Sequence, residues 1–327
     1  MSERVLVIGC GSIGQRHIRN LRALGIEAVF AVDPSREHLI AASRVGAVPC
    51  DNLDSALNLQ PSAVLICTPP HLHLTGARAA LEAGASVFVE KPIAPAMDGV
   101  DALLELAERV QGTVYVGYNL RFHAGLRKLK ALLDDGAIGK LLILQAEFGQ
   151  YLPDWRPGRD YRNGYNAHAA MGGGIILDAS HEIDYARWLA GEIIAVFAVM
   201  AKLSDLEMNV EDTAMVTLRF ASGVLGQLHL DCLQRDYARN CKLVGAEGTL
   251  LWDYAEGVRL YSSKTKQRET FPLVPDANEM YLEEMRHFLA CLRGEATPLV
   301  AGGDGKRVLE IALAAKHSCA ERREVVI

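Results

Sequence analysis

The apolar run Val5–Ile8 leads directly into the glycine-rich sequence Gly-Cys-Gly-Ser-Ile-Gly, and an amphipathic segment follows it. A lone GxGxxG is a weak signal, but here it has the context that a dinucleotide site requires, with a strand before it and a helix after it. Gly9 permits the tight turn, Gly11 lets the backbone approach a pyrophosphate, and Gly14 allows the helix to pack closely on the strand. The amides at the helix N-terminus then face the negative charge. The spacing predicts a dinucleotide-binding loop; the alternative is a glycine-rich turn without a ligand.

The second predicted strand ends at Asp33, which lies 19 residues after Gly14. A carboxylate at this position accepts hydrogen bonds from ribose hydroxyls and repels a 2′-phosphate, so NAD is favoured over NADP. Arg36 offers a contact to the adenine or to a phosphate, which leaves dual cofactor use open. Asp33 before Pro34 is also ordinary turn chemistry, and both roles are compatible. The further cofactor contacts expected within the loop are Ser12 and Ile13.

Short apolar runs alternate with amphipathic segments over the first 120 residues. The runs are Val5–Ile8, Ala28–Val32, Ala63–Cys67, Ser86–Val89 and Thr113–Val116. Strands buried on both faces have this composition, and their alternation with helices predicts a doubly wound parallel sheet of the Rossmann type. We expect a first domain over residues 1–120.

After about residue 120 the pattern changes to segments in which apolar and polar residues alternate, as in Thr213–Phe220. Alternation is typical of a sheet with unlike faces, usually antiparallel, and Ala-Ser-Gly at 221–223 suits a hairpin turn. We therefore expect a second, α+β domain over residues 121–327 with a large, mostly antiparallel open sheet. The pattern leaves open whether the C-terminal helix packs back on the first domain.

Composition excludes several classes of protein. A net charge of −6 gives no electrostatic case for binding nucleic acid. The seven cysteines are scattered and form no CxxC pair, which argues against a disulfide framework and favours a reducing compartment. The sequence contains no tight cluster of metal-binding residues, so it gives no reason to expect a metal. The chain shows no apolar segment typical of a signal peptide or a membrane span, so we expect a cytoplasmic protein without a membrane partner.

Ligands of open α/β sheets bind beyond the carboxyl ends of the strands. Lys91 follows the apolar run Ser86–Val89 directly, and a partly desolvated lysine there can exchange a proton with a substrate hydroxyl. The alternative is a solvated lysine paired with Glu90. The residues at the strand ends that we expect near the cofactor are Thr68, Pro69, His71, His73, Glu90, Lys91 and Asn119.

A second candidate group follows three consecutive glycines at 172–174. If the segment is helical, Asp178 and His181 lie three residues apart on one face, and a histidine held by a carboxylate is a good general base. A packed interior histidine is the alternative. We expect Asp184, one turn further on, to be structural.

The segment Gln150–His168 combines aromatic residues with three arginines. Aromatic faces stack on sugar rings and arginines bind phosphate or carboxylate, so we interpret it as a specificity loop for an anionic sugar. An ordered surface loop or an oligomer contact is the alternative. The residues expected at the substrate are Lys91, Arg121, Trp155, Arg156, Arg162, Tyr165 and His181.

Taken in order, these motifs resemble the Gfo/Idh/MocA family. They are Gly9-x-Gly11-x-x-Gly14, Thr68-Pro69-Pro70-His71-x-His73, Glu90-Lys91-Pro92, Asn119-x-Arg121-Phe122, Gly172-Gly173-Gly174, His181-Glu182-Ile183-Asp184 and Gly245-Ala246-Glu247-Gly248-Thr249. The resemblance implies a Rossmann domain followed by a large open sheet through which such proteins form homodimers or homotetramers. It also implies that Lys91 acts near the nicotinamide and the substrate hydroxyl, and that the Lys91–Pro92 bond is cis.

The sequence departs from the family at one position. Many relatives carry an aspartate four residues before the histidine, where this chain has Leu177; its aspartate, Asp178, comes three before His181. We expect Lys91, His181 and Asp178 to be catalytic.

The resemblance implies NAD-dependent hydride transfer involving a secondary alcohol of a sugar, nucleotide sugar or cyclitol. One alternative is an NAD-dependent glycosidase that uses transient oxidation and elimination, and would show no net NADH production. Another is a non-catalytic NAD-binding sensor, which would tolerate the loss of Lys91 and His181.

Overall fold

The structure is a computed structural model that describes residues 3–273 and 276–327. Its internal contacts divide the chain into two compact units. The first comprises the residues up to Asn119 together with Tyr281–Arg307, and the second comprises Leu120–Met280 with Val308–Ile327. This division does not test whether either part folds alone, so the domains 1–120 and 121–327 stay a prediction.

The first unit contains a six-stranded parallel sheet in the order β3-β2-β1-β4-β5-β6. The strands are β1 (Arg4–Ile8), β2 (Ala28–Val32), β3 (Val48–Pro49), β4 (Ala63–Ile66), β5 (Ser86–Glu90) and β6 (Val114–Gly117). The helices between them are α1 (Ser12–Ala23), α2 (Arg36–Arg44), α3 (Leu53–Leu57), α4 (His73–Glu82) and α5 (Val100–Arg109). The predicted doubly wound sheet is confirmed, because every strand pair is parallel and the strand order reverses at β1. Apolar strands such as β4 are buried along their whole length, as expected of such a sheet.

The second unit contains a nine-stranded sheet in the order β14-β13-β12-β11-β7-β10-β9-β8-β15. Its strands are β7 (Leu141–Gly149), β8 (Ile193–Ala201), β9 (Thr213–Phe220), β10 (Leu225–Asp231), β11 (Ala238–Gly245), β12 (Gly248–Asp253), β13 (Gly257–Ser262), β14 (Arg268–Pro272) and β15 (Val325–Val326). The β7–β10 pair is parallel and the remaining pairs are antiparallel, which confirms the predicted mostly antiparallel sheet.

Three helices precede or interrupt these strands, and two close the chain. They are α6 (Ala124–Asp134), α7 (Ile175–Asp178), α8 (Ser180–Ala190), α9 (Glu279–Leu292) and α10 (Gly302–Glu321). Within the described ranges, every helix is too short or too polar to cross a lipid bilayer.

The two faces of the nine-stranded sheet differ as the alternation in β9 predicts. Val216 and Leu218 are buried, whereas Met215 on the opposite face is 41% exposed. The predicted hairpin joins β9 to β10, and Gly223 has the positive φ of 85° that its turn requires. One face therefore forms the core of this unit, and the other is open.

Candidate active site

The predicted dinucleotide loop has the close approaches that require glycine. A Cβ on Gly14 would lie 2.0 Å from the carbonyl oxygen of Gly9, and one on Gly9 would lie 2.7 Å from the backbone of Cys67. Nothing lies within 4 Å of a Cβ built on Gly11, so the space in front of that residue is open. Two glycines thus allow the loop to fold against the sheet, and the third leaves room for a pyrophosphate.

Asp33 joins the loop to the end of β2. One oxygen of its carboxylate accepts a hydrogen bond from the Cys10 amide at 2.7 Å, and the other accepts from the Ser35 amide at 2.8 Å. The His38 Nδ1 atom lies 3.2 Å from the same carboxylate. The turn role of Asp33 is therefore present, while its contact with a ribose stays a prediction. Arg36 is exposed at the start of α2.

In the strand-end segment 68–73, His73 is buried and hydrogen-bonded, whereas His71 is exposed. The buried His73 ring lies 2.8 Å from the Thr68 carbonyl and 2.9 Å from the Pro92 carbonyl. Burial lowers the pKa of His73, although both hydrogen bonds oppose the shift. His73 thus joins two strand-end segments, and its predicted contact with the cofactor stays a prediction. His71 is exposed, on the short 3₁₀ turn Pro70–Leu72 that begins after Pro69.

Lys91 is half-buried directly after β5, and the Lys91–Pro92 bond is cis, which confirms the prediction. The preceding Glu90 places one carboxylate oxygen 2.7 Å from His17 Nε2, and its other oxygen accepts from the Lys91 amide at 3.3 Å. The backbone at Lys91 is therefore held by its neighbour's side chain.

Beyond β6, the structure buries both predicted polar residues. Asn119 is 3% exposed. Arg121 donates two hydrogen bonds, both of 2.8 Å, to the carboxylate of Asp184, and these side chains are 7% and 1% exposed. Arg121 thus pairs with an internal carboxylate, and its predicted contact with the substrate stays a prediction. Asp184 has the structural place expected of it.

In the second unit, Asp178 and His181 lie on different helices. The residue between the helices, Ala179, has φ −92° and ψ 29°, so α7 ends at Asp178 and α8 begins at Ser180. The condition of one continuous helix, on which the shared face of Asp178 and His181 depended, is therefore not met. Asp178 is 6% exposed and His181 is 8% exposed.

Two residues of the predicted specificity loop, Tyr165 and Arg156, interact electrostatically near Asp178. Burial and the charge of Asp178, to which Tyr165 is also hydrogen-bonded, raise the pKa of the Tyr165 hydroxyl, and the positive charge of Arg156 opposes the shift. The structure therefore brings Tyr165 and Arg156 together with Asp178. A Cβ on Gly173 would lie 2.4 Å from the Tyr165 carbonyl, so a glycine is needed where this loop meets α7.

Two other loop residues, Arg162 and Trp155, have hydrogen-bond partners within the protein. The exposed Arg162 guanidinium pairs with Asp160 at 2.7 Å and with Glu207 at 2.9 Å. The Trp155 indole donates to the Gln150 carbonyl at 2.9 Å. These contacts hold the loop together, and the substrate contacts of Arg162 and Trp155 stay predictions.

Comparison with known proteins places both halves of the chain. Residues 3–118 match the model of an oxidoreductase family with an NAD-binding Rossmann fold, and residues 126–251 match a GFO/IDH/MocA C-terminal domain. A myo-inositol 2-dehydrogenase of Thermotoga maritima is 30% identical over 338 residues, which cover 98% of this chain and 98% of the relative. The chain belongs to the Gfo/Idh/MocA oxidoreductase family.

Two solved structures share the fold. Levoglucosan dehydrogenase, solved with NADH, has a TM-score of 0.88 at 23% identity and covers 100% of this chain and 99% of its own. GenD2 from gentamicin A biosynthesis, solved with NAD, has a TM-score of 0.85 at 26% identity, with coverage of 100% and 97%. The predicted family, fold class and NAD cofactor are confirmed.

The residues of this Gfo/Idh/MocA protein fit the dinucleotide. The space at Gly11 would admit a pyrophosphate, and α1 presents its N-terminal amides there. Among the described residues, the buried Thr68 hydroxyl has no hydrogen-bond partner, so it can still donate to or accept from a ligand. Gly11, Ser12, Asp33 and Thr68 are therefore the residues that would hold NAD.

One buried ion pair next to His181 could not be predicted from the sequence. Glu182 is fully buried and accepts a hydrogen bond from Arg239 Nε at 2.9 Å, and the Arg239 guanidinium lies 4.3 Å from the Phe148 ring centroid. A charged residue beside a catalytic candidate was the available signal, but its partner lies 57 residues away.

Proposed function

We propose that the protein oxidises, reversibly, a secondary alcohol of a cyclitol or of a neutral sugar ring. The observation that carries this proposal is the buried Asp178, which is bonded by Tyr165 and comes three residues before the buried His181. Carboxylate, phenol and imidazole groups recognise hydroxyls and exchange protons with them. The likeness to a myo-inositol 2-dehydrogenase over 98% of the chain supports a cyclitol as the first substrate to test.

We assign separate roles to the two basic side chains. When bound, NAD supplies the hydride acceptor. His181 receives the proton of the substrate hydroxyl, and Lys91 donates a hydrogen bond to the same oxygen and stabilises its developing negative charge. Asp178 accepts from a neighbouring hydroxyl and orients the ring. The backbone bond from Lys91 to Glu90 keeps the lysine in place.

A neutral substrate is favoured over an anionic one because Arg162 is already neutralised by two carboxylates. Arg156 remains as the arginine near Tyr165. We expect Arg162→Ala to change kcat/KM less than about threefold, because it removes an exposed pair. A preference for uronic acids or nucleotide sugars that disappears in Arg156→Ala would overturn the neutral assignment.

The direct test is NADH formation over a panel of myo-inositol, scyllo-inositol, glucose, glucuronate and a UDP-sugar. We expect turnover of a cyclitol or neutral sugar, and a fall in kcat of about 10²-fold or more in both Lys91→Ala and His181→Ala. The matched control is Lys264→Ala, which removes an exposed lysine paired with Glu247. NADH fluorescence titration shows whether each variant still binds cofactor.

The same panel separates the alternatives. A glycosidase would cleave p-nitrophenyl glycosides without accumulating NADH. A sensor would bind NADH and turn over nothing, in the wild type as in the variants. Full activity in both Lys91→Ala and His181→Ala would end the proposed mechanism.

We also propose that the open face of the nine-stranded sheet joins two copies of the chain. Val199 and Met215 are directly opposite each other on β8 and β9 and are 58% and 41% exposed; Phe197 and Leu225 extend the patch. Exposed apolar side chains grouped on one face of a sheet favour association. Val199→Asp with Met215→Lys should convert a dimer to a monomer in size-exclusion chromatography with light scattering, whereas an unchanged mass would exclude this face.

A further inference from the structure

The first helix carries a buried histidine that the proposed reaction does not use. His17 lies on α1, is 0% exposed, and places Nε2 2.7 Å from a carboxylate oxygen of Glu90. Since a carboxylate only accepts, Nε2 carries the proton and donates it. The partners are 73 residues apart, so the bond joins the helix of the dinucleotide loop to the end of β5.

The surroundings of His17 are those of a residue placed for this one bond. Its ring packs edge-on against Phe88 at 5.2 Å and Tyr281 at 6.3 Å. Among the described residues, its Nδ1 atom has no hydrogen-bond partner. Leucine would fill this site without placing a polar atom among the aromatic rings, so packing alone does not require a histidine. The hydrogen bond to Glu90 is therefore the feature that requires a histidine.

Glu90 also binds the backbone of the next residue, Lys91. Its second carboxylate oxygen accepts from the Lys91 amide at 3.3 Å. On its other side a Cβ built at Gly117 would lie 3.4 Å from the same oxygen and 3.0 Å from the Phe88 ring, so the glycine leaves room for both the carboxylate and the ring. With one oxygen held by His17, the other is directed at the Lys91 backbone.

We propose that His17 is a positioning residue that acts through Glu90 to fix Lys91 relative to the dinucleotide loop. The loop, α1, His17, Glu90 and Lys91 form one connected support. The position of Lys91 is thus fixed relative to α1, and the N-terminus of α1 is where the cofactor would be held. The inference rests on the proposed role of Lys91, and catalytic groups displaced by about 1 Å lose on the order of 10²-fold in rate.

The test compares His17→Leu with His17→Gln. Leucine keeps the packing and removes the donor, whereas the glutamine amide nitrogen can occupy the place of Nε2 and donate to Glu90. We expect His17→Leu to lower kcat at least 10-fold, with the KM for NAD and the Kd for NADH within about threefold of wild type. His17→Gln should recover kcat to within about threefold. Ile18→Val, which removes one buried methylene from the same helix, is the matched control and should leave kcat per folded molecule unchanged.

A second measurement needs neither substrate nor cofactor. In protein labelled with ¹⁵N-lysine, the Lys91 amide signal, assigned by its loss in Lys91→Arg, should exchange with solvent at least 10-fold faster in His17→Leu than in wild type. His17→Gln and Ile18→Val should not accelerate it.

The outcomes separate two failures. If Lys91→Ala is fully active, the proposed function fails, whatever the His17 variants do. If Lys91→Ala is inactive but His17→Leu keeps wild-type kcat and amide exchange, the positioning role is excluded. If His17→Leu and His17→Gln lose the same activity, the histidine acts through packing, and the proposal is overturned.

Discussion

Arg121 offers the sharpest test of the distinction between a substrate ligand and a structural residue. Its guanidinium makes two 2.8 Å hydrogen bonds to Asp184, and the two side chains are 7% and 1% exposed. Arg121→Met keeps most of the apolar stem and leaves the Asp184 carboxylate buried without its cation. Removing one partner of a buried pair costs about 3–5 kcal/mol.

Tryptophan fluorescence can measure this loss of stability. All three tryptophans, Trp155, Trp188 and Trp252, lie in the second unit together with Arg121 and Asp184. Urea unfolding followed by tryptophan fluorescence therefore monitors that unit. With an m-value of about 2–3 kcal/mol/M, the midpoint should fall by roughly 1–2.5 M. Replacing both residues, Arg121→Met with Asp184→Leu, should restore most of the loss, because no charge then remains buried.

A substrate role predicts a different result. In that case Arg121→Met would raise KM at least 10-fold while the urea midpoint moved by less than about 0.3 M. That pattern would refute the structural assignment and return Arg121 to the substrate site.

Two further predictions concern the loop and an interior histidine. Gly11→Ala should lower NADH affinity at least 10-fold in a fluorescence titration without changing the thermal midpoint, because its methyl group enters only open space. Gly14→Ala should reduce both the affinity and the thermal midpoint, because its Cβ would lie 2.0 Å from the Gly9 oxygen. Equal effects of the two substitutions would contradict this account. Burial lowers the pKa of His123 from 6.5 to about 4, so the unfolded state binds the proton more readily, and the stabilisation present above pH 6.5 is lost as the pH falls towards 4. Between pH 7 and 4.5 the free energy of unfolding should fall by about 2–3 kcal/mol from this group, and the urea midpoint of His123→Asn, which retains a cap acceptor for the Gly125 amide, should depend less on pH.

Much of the fold could be predicted because its strands carry strong local signals. The apolar runs of the first sheet and the alternation in β9 are visible within a few residues. β14 was missed because Arg268–Pro272 is largely exposed and mostly polar, and β15 because it has only two residues. The break at Ala179 could not be predicted, since the segment from Ile175 onwards has an unbroken helical composition and the break depends on packing around it.

The site could be predicted where one segment supplies a whole function, as the dinucleotide loop does. Pairs between distant residues could not be predicted from the sequence alone. His17 and Glu90 are 73 residues apart, and Arg121 and Asp184 are 63 apart. Arg121 illustrates the reason: an arginine after a strand has the same sequence signal whether it faces a ligand or an interior carboxylate.

The two-part construction of the first unit also has a consequence for how the protein is made. The edge of the parallel sheet is completed by the late segment Tyr281–Arg307, whose Val300 carbonyl accepts from the Val116 amide at 3.1 Å. Phe288 from the same segment packs against Phe88 and Tyr115 at 5.4 and 5.6 Å. A nascent chain must therefore leave these aromatic faces uncovered while residues 120–280 are translated. The first unit to emerge from the ribosome therefore stays incomplete until Tyr281–Arg307 has been translated, and its uncovered aromatic edge is a surface on which a chaperone can act during co-translational folding.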